Sequence, residues 1–406
     1  MKFPTLLRNR DFFRLWLSNG LWWNAGWVEL IVLGWLALEL TDSPWQVAMV
    51  GLVRALPMLL GFFTSWITDH FRRRKLLVVL QGAVLLGLGT LAALYGFGAL
   101  RYWHIVAVSL LHGMIFTLDW PTRRALFPDL VGRENVIDAM MIDNMNLGVA
   151  WCIGSLAGGG LLYWVGAGGA LCFSMVLGCS SLVLLLSLKT NSVAPSRPAG
   201  WSDNLQRLRD GLRYVRRKPR IRGVLLVTVL MNAYVFPVHA LMPVFARDIL
   251  GSGPLGLGIL SGAHGIGILI GLVAVRRGRR HLPDTWLFAA GCLLGSAAFL
   301  GFSFSTHYGL SLALVLIAGM GHSGFGTMQS GIILTDTNDE MRGRAMAALV
   351  LAIGGGPLGS LQSTGMVASL GAPLTVAVMA FSAMVGILAV ILLLPGFVRR
   401  NRTPQS

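Results

Sequence analysis

Two side chains of opposite charge stand inside the first two apolar segments of the chain. Glu29 and Arg54 lie at similar distances from the polar turn between those segments, so antiparallel helices would place them at a similar depth. A carboxylate at that depth beside a cation could take up and release a proton, which makes Glu29 a candidate proton-coupling site. The same two groups could instead form a permanent ion pair that fixes helix packing. The sequence leaves both interpretations open.

Three histidines, His112, His264 and His322, fall near the middle of other apolar segments. Each could carry a proton, because imidazole titrates near neutral pH; a hydrogen-bonded packing role is the alternative. No HxxxH spacing or CxxC pair accompanies them, and the four cysteines lie in apolar runs. We therefore expect no metal site and no bound cofactor.

The first apolar segment is rich in tryptophan and carries amides beside its deeper rings. Trp23 and Trp27 flank Asn24, with Trp22 and Asn19 nearby. A wall of rings and amides would suit a large, partly aromatic ligand such as a planar drug or a catecholate siderophore. Packing against lipid is the alternative.

Membrane-spanning helices must position these residues. Hydrophobic residues make up 55% of the 406 and charged residues 12%, about half the charged share of a soluble domain, and the mean hydropathy is +0.68. Lipid leaves helices as the plausible form for such segments, each about 20 residues long. Twelve can be marked, at 15–39, 45–68, 76–98, 103–121, 138–163, 167–188, 222–246, 255–275, 285–304, 308–335, 345–367 and 372–395.

Basic residues are distributed unevenly about these segments. If the N-terminus is cytoplasmic, all of the 33 Lys and Arg residues except Arg54, Arg101 and Arg247 fall in cytoplasmic loops and tails. This asymmetry predicts a multi-pass protein of the cell (inner) membrane with both termini cytoplasmic. It also accounts for the net charge of +16 without nucleic acid as a partner. The lipid bilayer is the partner that the composition implies.

The segments divide into two sets of six. We expect an N-terminal half at 1–188, a cytoplasmic linker at 189–220, a C-terminal half at 221–396 and a tail at 397–406. Each half has a basic turn after its second segment, at 65–75 and at 271–281. The linker ends in a basic amphipathic stretch that could lie on anionic lipid or act in regulation.

The turn SWITDHFRRRKLL (65–77) resembles the loop motif of the major facilitator superfamily, Gly-x-Leu-Ala-Asp-Arg-x-Gly-Arg-Lys-x-x-Leu. Asp69 and Arg73 match the motif, whereas its two glycines are replaced by Ser65 and Arg72. The resemblance implies an all-α membrane protein of twelve transmembrane helices in two six-helix halves.

The same resemblance implies a cytoplasmic latch. In that family the acid meets the start of the eleventh helix, which here carries Arg342 and Arg344; Arg73 belongs to the same turn. Asp138 and Asp143 are expected near the cytoplasmic mouth, where Arg123 and Arg124 could neutralise them. They could act as a gate, and Asp138 could equally be a solvated helix end. The alternative for the basic turn is that its charge sets topology alone.

Three further stretches resemble the enterobactin-exporter branch of bacterial efflux proteins. They are TRRALFPDLVGRENVIDAM (122–140), RGRAM (342–346) and GSLAGG (154–159), which is similar to an exporter motif but has Ser155 in place of its proline. Ser109 stands where proton antiporters of the superfamily carry an arginine, so proton coupling by that route is not implied.

The resemblance implies a secondary-active exporter of a siderophore-like or drug-like small molecule. It would work by alternating access as a monomer, with the proton as coupling ion. An importer or facilitator of a small organic solute is the alternative, and a non-transporting scaffold or sensor is a further one. No GxxxxGK[ST] motif and no catalytic set of residues occurs, so we expect neither direct use of ATP nor an enzyme.

Overall fold

The structure is a computed structural model that describes residues 6, 8–60, 71–132, 135–189, 209, 211 and 213–398. No strand occurs among them. The longer helices are α1 (Arg10–Thr41), α2 (Pro44–Ala55), α3 (Arg73–Gly96), α4 (Tyr102–Ala125), α5 (Val136–Leu186), α6 (Pro219–Tyr234), α7 (Gly253–Gly278), α8 (Asp284–Ser303), α9 (Tyr308–His322), α10 (Phe325–Asp336), α11 (Asp339–Ile353) and α12 (Gly356–Leu393). Shorter helical turns are Leu56–Leu60, Phe127–Val131, Phe236–Leu241, Met242–Val244, Phe245–Ile249 and Pro395–Val398.

Helix α1 has a defined start and a defined end. The Asn9 side chain caps its first turn by accepting from the backbone N–H groups of Asp11 and Phe12, at 3.1 and 3.2 Å. Asp42 ends it in the left-handed conformation (φ 48°), with its N–H donating to the Leu38 carbonyl. The caps fix the register of the helix that carries Glu29.

Two helical runs, α5 and α12, each double back at a glycine. Gly166 has φ 71° and ψ 179°, and Gly371 has φ 72° and ψ 172°. Only glycine adopts this region readily, because a Cβ would clash there. The chain therefore turns at each glycine without a loop, and each run is two helices.

Eight helical stretches of the described chain are long and apolar enough to cross a membrane. Two of them, Met145–Leu186 and Met341–Leu393, contain the glycine turns and supply two crossings each. Helix α2 and the α9–α10 pair are shorter or less apolar than these eight stretches; counted as one crossing each, they bring the number to twelve. The predicted all-α membrane architecture is confirmed.

The chain forms two compact units, one of residues 1–198 and 240–265 and the other of residues 199–239 and 266–406. In the first unit α1 packs along α5, α3 packs on α4 and α5, and α2 packs on α4. Arg247 joins the first unit through bonds to the Leu38 carbonyl (3.0 Å) and to Asp42 Oδ1 (2.8 Å). In the second unit α6 packs on α11 and α12, and α8 packs on α9 and α12.

An apolar cluster anchors one end of the first unit. Phe12 and Leu15 of α1, Leu77 of α3, Phe127 after α4 and Leu185 of α5 are fully buried in it. The cluster fixes the last turns of α4 against α1 and α5. Those turns carry Asp119, Arg123 and Arg124.

Candidate functional site

Glu29 lies inside the first unit with a partner on each carboxylate oxygen. Its side chain is 1% exposed, and Arg54 Nη1 lies 2.8 Å from its Oε1. His112 Nδ1 lies 2.7 Å from its Oε2. We call these three residues, from α1, α2 and α4, the Glu29 triad. The sequence predicted the proximity of Glu29 and Arg54, but it did not predict that His112 contacts the same carboxylate.

A glycine allows the three residues to meet. A Cβ on Gly113 would overlap the backbone carbonyl of Arg54, so α2 and α4 can touch only because this position has no side chain. That contact brings Arg54 and the neighbouring His112 to the same carboxylate. The glycine beside a mid-membrane histidine was the available signal in the sequence.

A second charged cluster lies further along α4. Arg123 donates from Nε to Asp119 Oδ2 (2.6 Å) and from Nη1 to Asn19 Oδ1 (2.7 Å). Asn19 Nδ2 in turn donates to Asp143 Oδ1 (2.8 Å). We call these four residues the Arg123 network; all are buried, and Arg123 is 1% exposed.

The sequence predicted Arg123 near Asp143 as a neutralising charge. In the structure Asn19 bridges these two residues, and Asp119, which was not predicted, binds Arg123 directly. Spacing of four residues between an acid and an arginine was the signal, since it places both on one helix face.

Trp22 lies between the two clusters. Its ring stacks on His112 with centroids 6.1 Å apart and planes 17° apart. The Arg123 guanidinium carbon is 5.6 Å from the same ring. The first unit thus has a continuous line of polar and aromatic side chains from Glu29 to Asp143.

The deeper tryptophans of α1 pack against other aromatic residues. Trp23 meets Phe116 and Trp120, with centroids 6.0 and 5.6 Å apart. Trp27 stacks on Trp151 at 4.2 Å. Asn24 Nδ2 donates to the Gly20 carbonyl of its own helix at 2.7 Å. These rings form a wall within the first unit.

The other two predicted histidines lie in separate aromatic settings. His264 is buried, with its ring centroid 4.8 Å from that of Trp151. His322 is buried in the second unit, 5.7 Å from the rings of Phe236 and Phe299. A fourth histidine, His239, also lies 5.4 Å from Phe299; the sequence reading did not select it.

The predicted latch is described only in part. Asp69 and the side chain of Asp138 lie outside the described residues. Arg73 Nη1 donates to Asp129 Oδ2 and to the Ala125 carbonyl, both at 2.8 Å, and so ties the start of α3 to the end of α4.

The remaining latch arginines have local partners. Arg124 stacks over Trp120, with 4.6 Å from guanidinium carbon to ring centroid. In the second unit, Arg342 Nε donates to the Leu334 carbonyl at 3.3 Å, and Arg344 Nη1 lies 3.5 Å from the sulfur of Met341.

The glycine-rich stretch of α5 lies where two other helices approach it closely. A Cβ on Gly154 would come within 2.7 Å of the Trp27 Cβ on α1. On Gly159 it would lie 2.5 Å from the Cα of Gly258 on α7. Small residues here therefore set the spacing of α1, α5 and α7, and Ser155 is buried among them.

The described residues contain no group of three or more His, Cys, Asp or Glu side chains placed to hold a metal ion. The Glu29 triad offers a buried ion pair with an imidazole beside it, and the Arg123 network adds ion-pair, amide and aromatic contacts.

Comparisons with known proteins bear on the role of these groups. The chain is 22% identical to the staphyloferrin A transporter of Staphylococcus aureus, over 85% of this chain and 86% of that protein. It is 23% identical to the multidrug efflux pump Tap of Mycolicibacterium fortuitum, over 82% and 83%. It is 24% identical to the enterobactin exporter EntS of Escherichia coli, over 79% and 78%.

Solved transporter structures share the fold. The nucleoside transporter NupG superposes with a TM-score of 0.71 at 13% identity, covering 96% of this chain and 100% of that one. A POT family transporter in complex with 5-aminolevulinic acid gives 0.77 at 11% identity, covering 96% and 97%.

The model of the family described as transmembrane secretion effector (MFS_3) matches residues 4–404. Its members and the relatives above are transporters, not enzymes. The chain therefore belongs to this family of the major facilitator type and is a multi-pass membrane transporter of small molecules.

Proposed function

We propose that the protein is a secondary-active exporter of a siderophore-like or drug-like small molecule, driven by the inward movement of protons. The Glu29 triad is the observation that carries this proposal. Burying a carboxylate in a membrane costs free energy, even with a cation on one oxygen and an imidazole on the other. Such a group is therefore a candidate for a functional role. The names of the relatives support efflux.

Glu29 is the proton carrier in this proposal. When the carboxyl group takes a proton, its ion pair with Arg54 is lost and the guanidinium is freed for another partner. When the proton leaves, the pair forms again. His112 passes the proton to or from Oε2, the oxygen that it contacts.

Alternating access supplies the motion. The halves at 1–188 and 221–396 would rock about a site at mid-membrane, joined by the linker at 189–220. Asp69 would pair with Arg342 and Arg344 as a latch on the cytoplasmic side, where both termini and the tail at 397–406 lie. The unit of function would be the monomer in the cell membrane.

The test uses purified protein in liposomes with an imposed pH gradient and a panel of siderophores and planar drugs. Substrate flux and proton movement are recorded together for wild type, for Glu29→Gln and for Glu39→Gln. Glu39 is a matched control, because it lies exposed on the same helix and, among the described residues, accepts a hydrogen bond only from its neighbour Trp35. We expect Glu29→Gln to abolish coupled flux and Glu39→Gln to retain it.

Flux without proton movement in wild type would instead indicate a facilitator. Equal coupled flux in wild type and Glu29→Gln would reduce the triad to a packing role.

A further inference from the structure

The end of the linker, directly before α6, carries a concentrated positive charge that the proposed transport mechanism does not use. Residues 209–222 contain seven arginines and lysines and a single acid, Asp210. The described residues between 209 and 217 are helical, and Lys218 is the N-cap of α6. We call residues 209–218 the linker segment.

One side of the linker segment packs on the second unit. Val215 is 5% exposed, and a Cβ on the buried Gly211 would overlap the backbone carbonyl of Arg344, in the second turn of α11. Arg222 of α6 donates from Nη1 to the Arg216 carbonyl at 3.5 Å. The side that carries Gly211 and Val215 is therefore covered by protein and cannot enter lipid.

The other side of the linker segment is basic and exposed. Its exposed cations are Arg209, Arg213, Arg216, Arg217 and Lys218. Within the described part of this region, the ion pair joins Arg220 to Asp336 and uses none of these five. The exposed positive charge is therefore left for an anion from outside the chain.

The position of the linker segment decides which anion it meets. The segment ends where the membrane-crossing stretch Pro219–Ile249 begins, so Arg216, Arg217 and Lys218 lie within one helical turn of that start. This is the side of the membrane that the distribution of basic residues predicts to be cytoplasmic. Clusters of about four to eight basic residues next to a transmembrane helix on that side attract anionic lipids.

We propose that the exposed side of the linker segment binds the phosphate groups of anionic lipids, such as phosphatidylglycerol, in the cytoplasmic leaflet. Because its other side is covered by protein, this binding is electrostatic and involves no insertion into the bilayer. The packing of Gly211 on Arg344 passes the restraint to the start of α11. The inference goes beyond the proposed transport function, and lipid binding can be measured without transport.

The experiment counts lipids on the full-length protein by native mass spectrometry, while phosphatidylglycerol or zwitterionic phosphatidylcholine with the same acyl chains is titrated. We expect phosphatidylglycerol to bind at least about tenfold more tightly, and added salt to reduce this preference, because exposed charges are screened. Equal binding of the two lipids would overturn the proposal. Displacement of phosphatidylglycerol by an equal concentration of glycerol phosphate would assign the site to a soluble anion instead.

Charge variants assign the binding to the linker segment. Changing Arg213, Arg216 and Arg217 together to glutamine should weaken phosphatidylglycerol at least about tenfold, since each basic residue beside anionic lipid contributes about fivefold. Changing the same three residues to lysine keeps the charge and should retain most of the affinity. Equal losses in the two triple variants would show that charge is not responsible.

A matched control removes the same amount of charge from another basic turn. Arg276, Arg277 and Arg280, at the end of α7, are also exposed, and their combined change to glutamine should weaken phosphatidylglycerol less than about threefold. A loss as large as that of the linker variant would show that the affinity follows net charge and not the linker segment.

Hydrogen exchange tests the effect on α11. The exchange of the backbone amides of residues 339–346 is followed in phosphatidylcholine nanodiscs with and without phosphatidylglycerol. We expect the anionic lipid to slow exchange in wild type and in the lysine variant, and to leave it unchanged in the glutamine variant. Unchanged exchange in wild type would overturn the restraint of α11. None of these results depends on coupled flux, so a failure of Glu29→Gln to affect transport would leave them standing.

Discussion

The two compact units bury different kinds of polar side chain. In the first unit the buried groups include acidic and basic side chains, Glu29 and the two members of the Asp119–Arg123 pair, each with side-chain exposure of 1% or less. Among the described residues of the second unit, a typical buried contact joins neutral groups: Thr228 Oγ1 and Gln329 Oε1 lie 3.0 Å apart.

The ion pairs of the second unit are less deeply buried. Arg220 and Asp336 have side chains 19% and 13% exposed, and Arg279 and Asp284 are 59% and 32% exposed. Charge buried in a membrane protein is costly and is retained where it has a use. Among the described residues, the most deeply buried acid–base pairs therefore lie in the first unit.

The largest expected effect comes from breaking the buried pair in the first unit. Arg123→Met leaves Asp119 charged, buried and without its cation, so we expect a loss of about 3–5 kcal/mol in the free energy of unfolding. The measurement is unfolding by SDS in mixed micelles.

The matching double variant, Asp119→Leu with Arg123→Met, removes both charges and should recover most of that loss. A double variant as unstable as the single one would show that packing, and not the uncompensated charge, was responsible.

Breaking the half-buried Arg220–Asp336 pair of the second unit should reduce the free energy of unfolding by a smaller amount. Asp336→Asn removes a carboxylate that Arg220 contacts from Nε at 3.2 Å and from Nη1 at 3.3 Å. We expect a loss of about 1–2 kcal/mol, since water can partly solvate the remaining guanidinium. A loss equal to that of Arg123→Met would remove the contrast between the two units.

The contact between the neutral side chains of Thr228 and Gln329 should contribute still less to the free energy of unfolding. Gln329→Leu removes one partner of Thr228, whose hydroxyl still donates to the Val224 carbonyl at 2.8 Å. We expect a loss of about 1 kcal/mol or less in the same unfolding assay. A loss of several kcal/mol would mean that a neutral hydrogen bond in the second unit contributes as much to stability as the buried ion pair in the first.

The smallest effect is expected at the exposed pair. Arg279 donates two hydrogen bonds to Asp284, at 2.9 and 3.0 Å, and these bonds raise the pKa of its guanidinium above the usual value. Because both side chains are well solvated, Arg279→Gln should change stability by less than about 0.5 kcal/mol. Raising the salt concentration should reduce even that difference, and a salt-independent loss would argue against this account.

Much of the fold follows from periodicity and charge in the sequence. The breaks predicted between residues 163 and 167 and between 367 and 372 contain Gly166 and Gly371, where the helices turn. The membership of residues 240–265 in the first unit was not predictable, because it depends on contacts such as that of Arg247 with the end of α1.

The sequence predicts a contact within the site only where two residues lie at the same depth in the membrane on neighbouring helices. Glu29 and Arg54 belong to consecutive antiparallel segments, so equal depth suffices to pair them. His112 reaches the same carboxylate only through the close approach of α2 to α4 at Gly113, which concerns helices distant in sequence. The burial of Arg123 likewise depends on Asn19 of α1, which meets it across a helix contact that the sequence does not reveal.

The loop-free turns at Gly166 and Gly371 constrain the biogenesis of the protein. No hydrophilic loop separates the two arms of α5 or of α12. Such a loop would allow the first arm to leave the translocon before the second arm enters it. We therefore expect each pair of arms to enter the bilayer together, as a hairpin. Ribosomal pausing or a tag inserted at either glycine should disturb synthesis more than the same change elsewhere in the chain.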